Sequence, residues 1–441
     1  MTRLTPQLLV TSLLATAAIA LTLLHGGPAA TAQVEAASLP ALARRAVDAD
    51  EARAEAARTA LRARGPAGLA ALTREHAAAV AALAEGRTTA PSAADERLRA
   101  AIDQVSGQRD GHASGLYFHT DLPAALAEAR RRNVPVLSFR MLGRLDEELS
   151  CANSRYFRTV VYSDPSVSAL LRERFVLHVS TERPAPRITI DMGDGRTMVR
   201  TITGNSVHYV LDGEGRVVDA LPGLYAPPQF VEALRASERI VTRCGARQGA
   251  VFGECLTRMH SEALTQLGQR WEALRGGSGA LPAWTVLAAR APAPFVGPGA
   301  PSARDAMAIT MSKVAVEAPL LDAIAQAPTP QPYDGINWPL LVRMGEYSLS
   351  PRSLALVRLK TGRTDVAGLE RELARSAMAD GLRNEFIMHR RIHGWFTVPP
   401  VATDFATVNA RVYSELFLTP ANDPWLGLRA DDVWDAIEEV H

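Results

Sequence analysis

The chain has 441 residues, and its 48 lysines and arginines nearly balance its 47 aspartates and glutamates, so the formal net charge at pH 7 is +1. Because a nearly neutral chain creates no overall field, neither nucleic acid nor an anionic membrane surface is an expected partner. Hydrophobic residues make up 47% of a chain longer than one ordinary domain, which indicates two or three packed units.

The amino terminus has the form of a secretory signal. Arg3 precedes the apolar run 8–24, and the small residues at 30–32 suit a signal-peptidase cleavage site. We therefore predict that residues 1–32 are a signal peptide and that the protein is exported, to the periplasm or beyond the cell. The apolar run is long enough that an uncleaved, single-span membrane anchor is the alternative.

Residues 39–110 predict a helical N-terminal region, because they are rich in Ala, Arg and Glu and place apolar residues at helical spacing. The pattern predicts one amphipathic helix over 39–61 and a second over 69–83, with a break at Gly65-Pro66 between them. This arrangement is a helical hairpin, and a third helix follows from Ala94. The charged positions of these helices are interpreted as a solvated face.

Residues 116–240 predict a domain of alternating helices and strands. Asp121 is placed to cap the first helix, and Asp191-Met192-Gly193-Asp194-Gly195 is a strong turn signal within a hairpin. The predicted elements, in order, are the helix 122–132, the strand 134–141, the helix 165–174, the strand 175–179, the hairpin 187–200, the hairpin 207–220 and the helix 227–236.

This order and three of its stretches resemble the thioredoxin fold over about residues 116–237. Residues 133–137 (Asn-Val-Pro-Val-Leu) are similar to the Lys-Pro-Val-Leu strand of secreted thioredoxin-like proteins. Residues 164–176 resemble the helix after the active site with its next strand, and residues 209–217 resemble the late hairpin. The predicted fold class is α+β: a central thioredoxin-like domain between an N-terminal helical hairpin and a mostly helical C-terminal domain.

The resemblance places three residues at the family's functional positions. Cys151 stands at the nucleophile, Ser154 replaces the second cysteine of Cys-x-x-Cys, and Ser206 replaces the cis-proline. A Cys-x-x-Ser site can form a mixed disulfide but cannot complete a dithiol cycle alone. We therefore predict an exported monothiol protein that forms mixed disulfides with a protein partner in the envelope. Ser154 would orient the thiolate, and Ser206 would lie near the substrate backbone.

A second interpretation makes Cys151 a small buried residue, as lone cysteines often are. The thioredoxin-like domain is then a non-catalytic protein-binding module, and the helical domains hold the partner. The sequence leaves open whether the protein is an enzyme.

The three cysteines are too few for a disulfide scaffold. Cys244 and Cys255 lie eleven residues apart in a predicted glycine-rich loop that a disulfide can close in an oxidising compartment. Such a bond contributes about 2–3 kcal/mol to stability. The pairing would leave Cys151 as the single free thiol. The surrounding residues 241–280 predict a helical extension of the central domain.

The rest of the chain predicts a Pro/Gly/Ala-rich linker at 281–304 and a helical C-terminal domain at 305–441, with helices that include 305–325 and 431–440. Glu385, His389 and His393 recur at intervals of four, so they would share one face of a helix. Such a set can bind Zn²⁺ or Cu²⁺. The alternative is that these histidines are half buried and pack between helices. No other cofactor is predicted.

Overall fold

The computed structural model describes residues 37–88, 90–202, 204–276, 281–289, 335–342 and 347–423. The predicted signal peptide 1–32, most of the linker 281–304 and the predicted helices 305–325 and 431–440 lie outside these residues. Among the helices of the described ranges, none combines the length and apolarity needed to cross a membrane.

The N-terminal region is a bundle of short helices with its own small core, which includes Leu42, Leu61 and Leu72. The prediction of one continuous helix over 39–61 is wrong. Asp50 accepts a hydrogen bond from the backbone N–H of Arg53 and thereby caps a new helix. The helices are α1 (Leu39–Arg45), α2 (Glu51–Ala63), α3 (Pro66–Glu75), α4 (Ala77–Ala84), α5 (Ala93–Ser106) and α6 (Gly111–Ser114).

The central domain is built on a mixed sheet with the strand order β1-β3-β2-β6-β7. Strands β1, β3 and β2 run parallel, whereas β6 pairs antiparallel with β2 and β7 pairs antiparallel with β6. A separate hairpin, β4 and β5, projects from the domain with mostly exposed side chains. The strands are β1 (Phe118–His119), β2 (Val136–Leu142), β3 (Val176–Arg183), β4 (Arg187–Asp191), β5 (Thr197–Thr201), β6 (Ser206–Leu211) and β7 (Val217–Pro222). Together with its helices, this sheet confirms the α+β class.

Helices α7 (Leu122–Arg132), α8 (Ala152–Tyr156), α9 (Pro165–Arg174) and α10 (Pro227–Cys244) accompany the sheet. Asp121 caps α7 by accepting from the Ala124 N–H, and Asp164 caps α9 in the same way. Helix α10 is longer than predicted because its buried stripe continues through Ile240 and Cys244.

A disulfide joins the last residue of α10, Cys244, to Cys255 in the first turns of α11 (Gly249–Gly276). The Cα atoms of the two cysteines are 5.7 Å apart, an ordinary separation for this bond. The glycine-rich stretch between them is therefore a short connection that becomes helical at Gly249, and it is not the continuous loop that was expected. Helix α12 (Trp284–Ala289) likewise begins inside the predicted linker.

The C-terminal helices pack directly on the sheet. Met388, Ile392 and Tyr413 belong to the same hydrophobic core as the central strands. A short 3-10 turn covers Trp338–Leu340, and two helices continue into π-helical segments. The elements are α13 (Pro351–Thr361), α14 (Ala367–Arg383), a first π segment (Asn384–His389), α15 (Arg390–Trp395), α16 (Phe405–Arg411) and a second π segment (Val412–Leu416).

Candidate functional site

Cys151 lies directly before α8, in the connection from the central strand β2. Its backbone N–H donates to the carbonyl of Leu142 at 3.2 Å, which fixes the start of the helix against the end of the strand. The residue is 0% exposed and belongs to the main hydrophobic core. It is also the free cysteine of the chain. The thiol is thus held at a strand-to-helix junction but is closed off from solvent.

The two serines assigned to the thiol site are also fully buried. The Ser154 hydroxyl lies 2.8 Å from the carbonyl oxygen of Cys151 and 2.7 Å from the hydroxyl of Ser150. Ser206 accepts a hydrogen bond from the side-chain amide of Asn153 at 3.2 Å. The fold therefore brings all three predicted residues together. The hydrogen bonds of the two serines, however, hold α8 against the preceding loop and against the start of β6. Their hydroxyls therefore have a structural role.

The C-terminal segment covers this side of the sheet. Asn205, next to Ser206, donates to the hydroxyl of Thr419 at 2.9 Å. Arg183 at the end of β3 donates to the Thr419 and Pro420 carbonyls at 3.2 and 3.0 Å. On α16, Asn409 accepts a hydrogen bond from Tyr209 of β6 at 2.9 Å. A substrate backbone approaching Ser206 would have to displace this segment.

A second buried cluster lies where β7 meets the C-terminal helices. Asp219, His389 and His393 place one potential ligand atom each within 4.8 Å of one another. Nε2 of His389 is 2.8 Å from one carboxylate oxygen of Asp219. The other carboxylate oxygen accepts from the Ser237 hydroxyl at 2.7 Å. All of these side chains are buried, so the fold has assembled a carboxylate and two imidazoles away from water.

A third histidine, His260 of α11, extends the cluster. Its Nε2–H donates to the carbonyl of Val218 at 3.0 Å, because a carbonyl can only accept. Its Nδ1 is 2.8 Å from Nδ1 of His393 and accepts the hydrogen that His393 carries there. Burial lowers the pKa of His260 to about 4 and the pKa of His393 well below its ordinary value. Both rings are consequently neutral at pH 7.

Asp219 remains ionised in the same surroundings. Burial raises the pKa of its carboxyl, but the neighbouring imidazoles, His389 first, outweigh burial and hold this pKa below its usual range. The cluster thus combines an ionised carboxylate with the neutral rings of His260 and His393, whereas Nε2 of His389 donates its hydrogen to Asp219 and would have to release that hydrogen to bind a metal.

The prediction that Glu385 is the third member of this set is wrong. Glu385 forms a salt bridge with Arg270 of α11 and is absent from the ligand group. The expected shared face assumed a regular α-helix, whereas residues 384–389 are π-helical, with more residues per turn. Asp219 takes the place of Glu385. A sequence signal existed, since Asp219 is the charged residue within the apolar strand Val217–Pro222.

A cavity of about 700 Å³ lies between the N-terminal helices and the β1 edge of the sheet. Its wall includes Leu69, Val80 and Phe175 together with His112 and His119. Both ring nitrogens of His112 and Nε2 of His119 are buried without a hydrogen-bond partner among the described residues. A volume of this size, apolar with a few polar groups, suits a small organic molecule or an inserted side chain.

Comparison of the chain with models of known families, with curated proteins and with solved structures finds no match in any of the three.

Proposed function

We propose that the protein is an exported, non-catalytic binding module that uses a thioredoxin-like core as a scaffold and binds a protein partner in the cell envelope. The strand order β1-β3-β2-β6-β7 and the position of Cys151 between β2 and α8 support the thioredoxin-like assignment. The form of residues 1–32 supports export.

One observation carries the choice of a binding module over a monothiol enzyme: the Cys151 side chain is 0% exposed. Thiol–disulfide exchange requires a thiolate that a partner's sulfur can reach, and buried cysteines are inert. Mixed-disulfide chemistry would require the segment 405–423 to leave the sheet. That segment is held by hydrogen bonds from Arg183 and Asn205 and by the packing of Tyr413 in the main core.

The cavity at the β1 edge gives such a module a place to bind. It lies between the N-terminal helices and the sheet, and its lining excludes Cys151. The unpartnered imidazoles of His112 and His119 can donate or accept a hydrogen bond from an inserted group. In this proposal the thiol is a packing residue, and recognition takes place at the junction of the helices and the sheet.

Alkylation of the native protein tests the proposal. Since Cys244 and Cys255 are bonded, Cys151 is the cysteine that iodoacetamide can modify. We expect intact-mass measurements to show no adduct on the native protein at pH 8 and one adduct after unfolding in guanidinium. The Cys151→Ser variant, carrying the same disulfide, is the control and should show none in either condition.

Rapid and complete labelling of the native protein would contradict the proposal and favour the monothiol enzyme. Capture from an envelope extract gives the complementary readout. A binding module recovers the same partner with the wild type and with Cys151→Ser. A partner recovered only as a reducible adduct of the wild type would instead assign the protein to mixed-disulfide chemistry.

A further inference from the structure

We propose that Asp219, His389 and His393 form a binding site for one divalent transition-metal ion of the zinc class. The site joins the central sheet to the C-terminal helices. It goes beyond the proposed binding function and does not depend on it.

The first argument is convergence. Asp219 comes from β7, His389 ends the first π segment, and His393 lies on α15, yet their ligand atoms all lie within 4.8 Å of one another. The three residues are each 5% exposed or less. Two imidazoles and one carboxylate are donors that Zn²⁺ accepts, with bonds of about 2.0–2.2 Å. The group is compact enough to close on one ion through small rotations of its side chains.

The second argument is the hydrogen-bond chain behind the ligands. His260 is fixed by the Val218 carbonyl, and it therefore receives the Nδ1 hydrogen of His393. In a neutral ring this leaves Nε2 of His393 unprotonated, the form in which imidazole binds a metal. The Ser237 hydroxyl orients the Asp219 carboxylate in the same way. Outer partners of this kind are the usual supports of metal-binding histidines and carboxylates.

The third argument is an unpaired hydroxyl beside the cluster. Tyr225 is 2% exposed, and its hydroxyl has no hydrogen-bond partner within the described residues. It lies near enough to Asp219 that the carboxylate adds to the effect of burial in raising the pKa of this tyrosine. Structural zinc has four ligands. A water would complete this set of three protein ligands, and the unpartnered Tyr225 hydroxyl could bond such a water.

Burial also indicates what the ion does. A site closed to solvent cannot admit a substrate, so the ion has a structural role, linking β7 to the π segment and α15. The competing arrangement is an Asp219–His389 ion pair that functions without a metal. The two differ in a measurable way, because an ion pair gains nothing from added zinc whereas a zinc site is stabilised by it.

The test uses the full mature chain, freed of metal by dialysis against a chelator, reloaded with zinc chloride and desalted. Elemental analysis should find about one zinc per chain in the wild type. The conservative variant Asp219→Asn and the variant His393→Gln should retain less than about a tenth of that amount. Glu385→Gln is the matched control: it removes a neighbouring carboxylate outside the cluster and should bind zinc like the wild type.

A measurement on the wild type alone keeps the proposal testable if a variant fails to fold. Zinc at 100 times its Kd should stabilise the metal-free protein by about 2.7 kcal/mol, which will raise its melting temperature. A wild type that retains no zinc after reloading and melts at an unchanged temperature would overturn the proposal and leave the ion pair. Zinc loss in Glu385→Gln but not in Asp219→Asn would reject this ligand set. Neither result bears on the alkylation of Cys151.

Discussion

Two buried carboxylates illustrate opposite ways to join the central sheet domain to its flanking helices. Asp110, 2% exposed, lies 3.3 Å from Nε of Arg158 and 3.0 Å from Nζ of Lys360. Asp219, 1% exposed, is bonded to His389 and to a serine hydroxyl. The partners of Asp110 are cations without a lone pair, so that cluster can only be an ion pair. The partners of Asp219 include imidazoles, whose nitrogens can offer a lone pair to a metal.

The Asp110 cluster also anchors the loop that leads to Cys151. The buried Arg158 guanidinium donates to the Glu147 carbonyl and, at 3.2 Å, to the Glu148 carbonyl, in the loop that leads to Cys151. Its pKa is lowered by burial, which the charge of Asp110 partly offsets. The carboxylate of Asp110 is within ion-pair distance of its cations but makes no hydrogen bond among the described residues. The pairing is therefore mainly Coulombic.

Removing a cation from the first cluster should have the largest effect. Arg158→Ala leaves Asp110 buried with only the partly exposed Lys360, and it frees the carbonyls of Leu145, Glu147 and Glu148. We therefore expect a loss of about 3–5 kcal/mol in the free energy of unfolding. Urea unfolding measures this loss. Alkylation of the native variant should also become detectable at Cys151, because the loop that leads to this residue loses its anchor.

Arg144→Ala is the matched control, since Arg144 pairs with Asp146 at the surface and its side chain is 64% exposed. Its loss should stay below about 1 kcal/mol. If Arg158→Ala lost as little unfolding free energy as this control, the Asp110 ion pair would not be what joins the central domain to its flanking helices.

A smaller effect is expected from the serine that orients the second carboxylate. Ser237→Ala leaves one oxygen of Asp219 without its buried donor, which should cost about 1–3 kcal/mol in unfolding free energy. If the cluster binds zinc, the same change should weaken zinc binding by about 10- to 100-fold. Competition against a fluorescent zinc chelator measures the affinity. The control is Ser166→Ala, which removes an exposed hydroxyl bonded to Asp164. Its unfolding free energy and zinc affinity should equal those of the wild type within experimental error.

The last expected effect is a gain in stability at neutral and higher pH. Burial, followed by the charge of Asp110, raises the pKa of the half-buried Asp103 to about 7 from its ordinary value of 3.8. The folded state therefore holds this proton more tightly than the unfolded state, and stability falls as the pH rises between these two values. Asp103→Asn removes the titration while keeping an oxygen for the Gly111 N–H.

We expect Asp103→Asn to be more stable than the wild type at pH 8, by up to about 4 kcal/mol for a shift of about three pKa units, and to approach the wild type below pH 4. Urea unfolding at pH 4, 6 and 8 checks the sign. A variant that is less stable than the wild type at pH 8 would show that the Asp103 carboxylate is stabilised by its neighbours, contrary to the expected repulsion from Asp110.

The sequence alone predicted those parts of the fold that depend on local signals. The bounds of α7 and α9 agree with the predicted helices 122–132 and 165–174, because an aspartate caps each start and basic residues occupy each last turn. The turn at 191–195 placed the hairpin β4–β5. The α+β class followed from the alternation of these elements. The sequence could predict them because each of these signals acts within a few residues.

Local sequence signals failed to predict where a helix starts or becomes π-helical when competing interactions decided it. The cap at Asp50 divided a predicted helix, and the helical start at Gly249 replaced a predicted loop. The π segment at 384–389 turned Glu385 toward Arg270, away from the two histidines. Apolar spacing does not reveal such changes, because a π turn alters the direction of side chains while leaving the sequence pattern the same.

What the sequence by itself determined is the set of chemically capable residues: one free cysteine at a strand-to-helix junction and two histidines four residues apart. Only the tertiary structure decided what they can do. It buried Cys151 in one core with Tyr413, more than 250 positions later in the chain, and it brought Asp219 to His389 across 170 positions. Burial and hydrogen-bond partners depend on how distant chain segments pack together. A sequence pattern does not specify the spatial distance between such segments.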